Sequence, residues 1–194
     1  MRRNHFRIVY NAPVTLTFLC VCLIATILGV ISGGRITQGL FMVYRSSLLS
    51  PFTYLRFFTH VFGHSGWSHF FSNAVYLLLV GPMLEEKYGA QVLIRVIVIT
   101  ALITGLINFL LFPHVGLCGA SGVVFAFILM TSFTGFRSGE IPLSFILVAV
   151  VFLGQQIFEG LFVQDNVSNL SHIIGGLVGA TFGFSRMPGK SVRR

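Results

Sequence analysis

Charge is what this sequence has least of. Asp, Glu, Lys and Arg make up 9% of its 194 residues and only 5 residues are acidic, whereas an ordinary soluble domain carries roughly 25% charged residues. That scarcity excludes a water-soluble globule with a solvated surface. Cysteine is scarce too. Cys20, Cys22 and Cys118 have no metal-ligand spacing, and Cys20 and Cys22 stand two apart in one predicted helix, so they point to different faces and read as apolar thiols. There is no His-Glu-x-x-His motif and no Cys/His quartet, so the chain is expected to use neither a metal nor a cofactor. His60 and His64 are four residues apart but lie beside Gly63 and Gly66, in a segment predicted to be a loop that they order through hydrogen bonds. No low-complexity linker or fixed-period repeat is present.

What fills the chain instead is apolar: 55% of residues are hydrophobic and the mean hydropathy is +0.87. Runs free of charge cover residues 8–34 and 96–136, and a third covers 141–164, broken only by Glu159. A membrane span needs about 20 mostly apolar residues, so the middle run holds two. The pattern predicts an all-α membrane protein with six transmembrane helices, at 14–32, 67–84, 91–112, 121–136, 142–158 and 169–185. All 194 residues are expected to form a single membrane domain. Residues 34–66 would be an outer interfacial loop with short amphipathic helices around 48–58, and residues 1–12 and 187–194 would be tails. The first run follows Arg2, Arg3 and Arg7 but lacks a small-residue cleavage site and is read as a span.

Lys and Arg near helix ends favour the cytoplasmic side. With both termini inside, all of the 13 basic residues except Arg35, Arg45 and Arg56 fall there. Anionic headgroups and this topology account for the formal charge of +8, and no nucleic-acid partner is expected. Trp67 and Tyr88 suit interfacial anchors.

Polar side chains inside a span are costly and mark function. The second predicted span carries His69 and Asn73, four apart and therefore on one helical face. Ser121 stands in Gly119-Ala120-Ser121-Gly122, where a short predicted helix begins, and the sixth span carries His172 followed by Gly175, Gly179 and Gly183. A helix that starts below the outer surface leaves room for water above it, and its free N–H groups favour an anion beside Ser121. The small-xxx-small series permits close packing, here expected against the fourth span, which would bring His172 to Ser121. Together these residues offer a nucleophile, a base and neutral donors for an oxyanion, the equipment of a hydrolase working inside a membrane.

In these motifs and their order the chain resembles the rhomboid intramembrane serine proteases. The resemblance runs from Arg56 to about Gly183 and rests on Gly119-Ala120-Ser121-Gly122, on His69-Phe70-Phe71-Ser72-Asn73, on Gly81 with Glu85 and Gly89, and on His172 with Gly175 and Gly179. It implies a six-helix rhomboid-like bundle in which Ser121 is the nucleophile and His172 the general base. The backbone N–H of Ser121, with His69 and Asn73, would form the oxyanion hole. Arg56 and Glu85 would be structural supports, as would Gly119, Gly122, Gly175 and Gly179. Leu55 stands where the family often has Trp, and Phe125 where it commonly has a Tyr stacked on the catalytic histidine; Phe125 keeps the ring and loses the hydroxyl. The implied partners are transmembrane protein substrates, cut near the outer face, and membrane lipids, and the implied location is a prokaryotic plasma membrane. Asp165 is the nearest acidic residue before His172, and a dyad without it is the expectation. The alternatives are a catalytically inactive relative that binds transmembrane helices in quality control or trafficking and, more remotely, a small transporter. Cys118 is close enough in sequence to line the Ser121 cavity.

Overall fold

A computed structural model describes residues 9–133, 143, 146–151, 154, 158 and 166–185. Seven α-helices are bounded within them: α1 (Pro13–Ile31), α2 (Arg35–Leu40), α3 (Pro51–Thr59), α4 (Trp67–Tyr88), α5 (Ala90–Leu111), α6 (Ser121–Thr131) and α7 (Asn166–Ser185), with a 3-10 turn at His60–Phe62 between α3 and α4. Residues 146–151 are also helical. The protein is all-helical, as its composition implies. Two of these helices, α1 and α5, are long and apolar enough to cross a membrane by length and composition. The other long helices carry the polar residues that interrupt their hydropathy, among them His69 and Asn73 in α4 and His172 in α7.

Several boundaries differ from expectation. The second span was expected at 67–84, but α4 continues to Tyr88 and turns into α5 through Gly89 at φ +83°, a conformation that costs glycine little. The fourth span was expected to reach 136, but α6 ends at Thr131. The expected fifth span lies mostly outside the described residues.

Pro13 opens α1, where its missing N–H costs nothing. No side chain of α1 caps that end; Glu85 of α4 does. Its carboxylate accepts from Val14 N (2.8 Å), Thr15 N (2.9 Å) and Thr15 Oγ1 (2.9 Å). Two of the helix's orphan donors are thus satisfied, with a negative charge at the positive end of the dipole. Gly81, one turn before Glu85, lets Thr15 lie directly against α4, because a Cβ there would meet the threonine side chain.

The segment 34–66 folds around Arg56, which is buried. Its guanidinium lies 4.2 Å over the Tyr44 ring and donates to Tyr44 Oη (2.9 Å), Ser46 Oγ (2.6 Å) and Gly39 O (3.4 Å). These bonds gather the turn after α2 onto α3. The segment then clasps the loop before α6. Val43 and Leu117 exchange both backbone hydrogen bonds at 2.9 Å, and Asn108 Nδ2 donates to Val43 O and Val115 O, each at 3.1 Å.

α6 is the centre of the bundle. Seven of its 11 residues are buried, and it packs against α4, α5, α7 and the 3-10 turn. A helix buried around most of its circumference has little polar face to show, and between Ser121 and Thr131 its side chains are all apolar. The seam with α7 is built from glycine: a Cβ on Gly175 would strike the backbone of Gly122, and a Cβ on Gly179 the backbone of Ala126. The small-residue series of the last helix therefore packs within the chain against the helix that begins at Ser121.

Candidate active site

Ser121 is the first residue of α6, and Ala120 precedes it as the helix cap. The approach to it is shaped by Gly119, at φ +135°, whose N–H donates to His60 O (2.9 Å). The same glycine leaves room for His69. A Cβ on Gly119 would lie 2.7 Å from His69 Cε1, 2.8 Å from Nε2 and 3.8 Å from Ser121 Oγ. The imidazole edge of His69 therefore faces the backbone just before Ser121. On its other side, His69 Nδ1 is 3.2 Å from Ser65 Oγ.

Asn73 lies one turn beyond His69 on α4. Its Nδ2 donates to His69 O (3.0 Å), and Ser72 Oγ donates to the same carbonyl (2.9 Å). An amide nitrogen carries two N–H groups, so this bond leaves Asn73 a second donor. On α7, His172 packs against Phe125 with ring centroids 4.3 Å apart and planes at 41°.

These side chains share one cavity of about 630 Å³. Its polar lining is His69, Ser72, Asn73, Ser121 and His172. Its apolar lining comes from Tyr76, Val124, Phe125 and Ile128, closed on another side by Leu147, Val148 and Val151. A few convergent polar groups in a mainly apolar concavity is the usual form of a small binding or reaction site. The structure thus brings together His69, Asn73, Ser121, Phe125 and His172. It places Gly119, Gly122 and Gly175 at the close approaches around them. Arg56 lies in α3 and Glu85 near the end of α4, and neither lines the cavity.

Cys118 departs from expectation, whereas His60 and His64 make hydrogen bonds as expected. Cys118 does not line this cavity, and burial pushes its thiol up to about 11, which keeps it protonated and unreactive at neutral pH. His60 and His64 are both buried and bond to backbone: His60 Nε2 to Ala101 O at 3.0 Å and His64 Nδ1 to Phe62 O at 3.2 Å. Burial lowers each imidazole to about 4, with His69 adding to the effect on His64. Asp165 and Glu159 lie outside the described residues.

Sequence reasoning missed Ser65, Ser72 and Tyr76. Ser72 and Tyr76 were within reach of it, since Tyr76 follows Asn73 by three and His69 by seven, one helical face. Ser65 precedes α4 and carries no periodic signal.

An all-helical integral membrane protein that gathers a serine, two histidines and an asparagine around one internal cavity is the class defined by this fold and site. The chain belongs to the rhomboid family: its residues 51–188 match the Rhomboid domain. It is similar to the rhomboid protease GlpG of Salmonella typhi, at 27% identity over 174 residues that cover 89% of this chain and 62% of that protein. It is also similar to Rhomboid-related protein 1 of Caenorhabditis elegans, at 30% identity over 138 residues that cover 66% of this chain and 39% of that protein. The chain therefore spans less than two thirds of the length of either relative.

Proposed function

We propose that this protein is an intramembrane serine endopeptidase that cleaves transmembrane proteins near the outer membrane face. The observation that carries the reading is the single cavity lined by Ser121, His172, His69 and Asn73, with Ser121 at the first position of a buried helix. The relative GlpG, named a rhomboid protease, points the same way.

In this reading His172 takes the proton of Ser121 Oγ as the oxygen attacks a substrate peptide carbonyl. Negative charge moves onto the carbonyl oxygen. The Ser121 N–H at the helix start, with His69 and Asn73, stabilises it. Collapse breaks the C–N bond, and His172 returns the proton to the leaving amine. Water, deprotonated by the same histidine, then cleaves the acyl-enzyme ester and restores Ser121. Phe125 holds the His172 ring by stacking alone.

The bundle is inferred to cross the membrane six times with both termini in the cytosol, as a single domain over 1–194 in a prokaryotic plasma membrane, with lipids around it. Cleavage near the outer face suits a substrate helix whose end unwinds, because a carbonyl inside an intact helix is out of reach of a serine. The test is reconstitution in liposomes with single-span substrates. Wild type is expected to release fragments cut near the outer end of the span, and Ser121→Ala and His172→Ala none. Unchanged cleavage by Ser121→Ala would contradict the assignment.

A further inference from the structure

The reading of His69 as an oxyanion donor leaves one requirement unmet. A neutral imidazole carries a single N–H, and which nitrogen holds it is set by the bond the other nitrogen makes. Only the Nε2–H form can donate toward Gly119 and Ser121, since that is the edge facing them: Nε2 would stand 2.8 Å from a Cβ on Gly119. A proton on Nδ1 would instead leave a lone pair there, repelling a developing oxyanion.

We propose that Ser65 is a positioning residue that fixes the His69 tautomer, its hydroxyl donating to Nδ1 so that the proton of the ring resides on Nε2. The contact is 3.2 Å, from Oγ to Nδ1. Ser65 stands in the loop just before α4 and His69 in the first turn of that helix, four residues on. Ser65 is exposed, which lets water donate to its oxygen while its own proton is given to the ring. His64 braces the ring from another side, edge-on with centroids 5.0 Å apart at 73°, and the His64 ring is itself tied to Phe62 O and, at 3.4 Å, to Thr26 Oγ1 of α1. The ring's orientation and its proton are thus set from different sides, by His64 and Ser65 respectively. Ser65 acts only through His69, and its role rests on the oxyanion reading given above.

Two measurements on the full chain in detergent test this. The first is nitrogen NMR of protein labelled at histidine, with the His69 signals assigned by their loss in His69→Gln. Wild type is expected to show the Nε2–H tautomer, and Ser65→Ala a mixture with Nδ1–H. The second is steady-state cleavage of a single-span substrate. Only the Nε2–H form can donate, so kcat in Ser65→Ala should fall in proportion to the Nε2–H fraction that the NMR spectrum reads, about twofold for an equal mixture, with KM little changed. Ser65→Thr, which keeps the hydroxyl, is expected to restore both readouts. A purely structural role would move KM and the melting temperature instead. An unchanged tautomer or an unchanged kcat in Ser65→Ala overturns the proposal while leaving the protease reading intact. A folded wild type that cleaves nothing overturns the protease reading, and the NMR spectrum then still decides the tautomer claim.

Discussion

Ser121 and His172 come from separate stretches of chain, and neither would be notable alone. What gives them chemical meaning is the company each keeps: Ser121 with the free N–H groups of a helix start, His172 with the Phe125 ring. Asn73 carries a sharper expectation. Because one of its amide protons is engaged with His69 O, only the second is available to a substrate, and truncation removes that donor outright. Asn73→Ala should lower kcat by about 10²–10³, or about 2.7–4 kcal/mol, while residual cleavage persists on the remaining donors. Steady-state cleavage checks this; a kcat equal to wild type would remove Asn73 from the site. Cys118 shows how far sequence proximity misleads at this scale. It sits three residues from Ser121, yet the turn at Gly119 sends the two side chains to different surroundings.

Among the elements, α6 and α7 decide the site, because their separation sets where His172 stands relative to Ser121. Glycine brings the backbones together at Gly175 and Gly179, and there is no slack left for a methyl group. Gly179→Ala should destabilise the folded protein by about 1–3 kcal/mol and slow cleavage by displacing α7, read as an earlier melt in detergent alongside the activity. Gly39→Ala in α2 is the control, since nothing lies within 4 Å of its added Cβ; an equal melting shift in both variants would contradict the seam. This element was legible in the sequence because small residues four apart have one obvious use, close packing. The starts of α4, α5 and α6 were legible for a similar reason: Gly66, Gly89 and Gly119-Ala120 punctuate long apolar runs. The end of α6 was not. Residues 132–136 carry no charge that would mark a boundary, although Ser132, Thr134 and Gly135 are poorer helix formers than the residues before them, and α6 stops at Thr131.

At the scale of the whole molecule, two ties hold the frame open at a fixed size. Glu85 pins the start of α1 to the far end of α4, and the Val43–Leu117 bridge pins the segment 34–66 to the loop that delivers Ser121. Composition alone announced a helical membrane protein, and the polar positions within apolar runs announced the cavity. The Val43–Leu117 tie was harder to see, because it joins residues distant in sequence through backbone groups that every residue has; Glu85 was marked as a support, but its partners at the start of α1 were not. Residues 34–66 read as a loop with short amphipathic helices around 48–58, where α3 falls, whereas α2 and the 3-10 turn carried no such signal. The frame matters for function only if it holds an activated serine. That is most directly tested by labelling the purified wild type, Ser121→Ala and His172→Ala with a fluorophosphonate probe and mapping the modified residue by mass spectrometry. The account predicts modification of wild type at Ser121 and none in either variant; a folded wild type that takes no label, or a Ser121→Ala protein labelled as strongly as wild type, would contradict it.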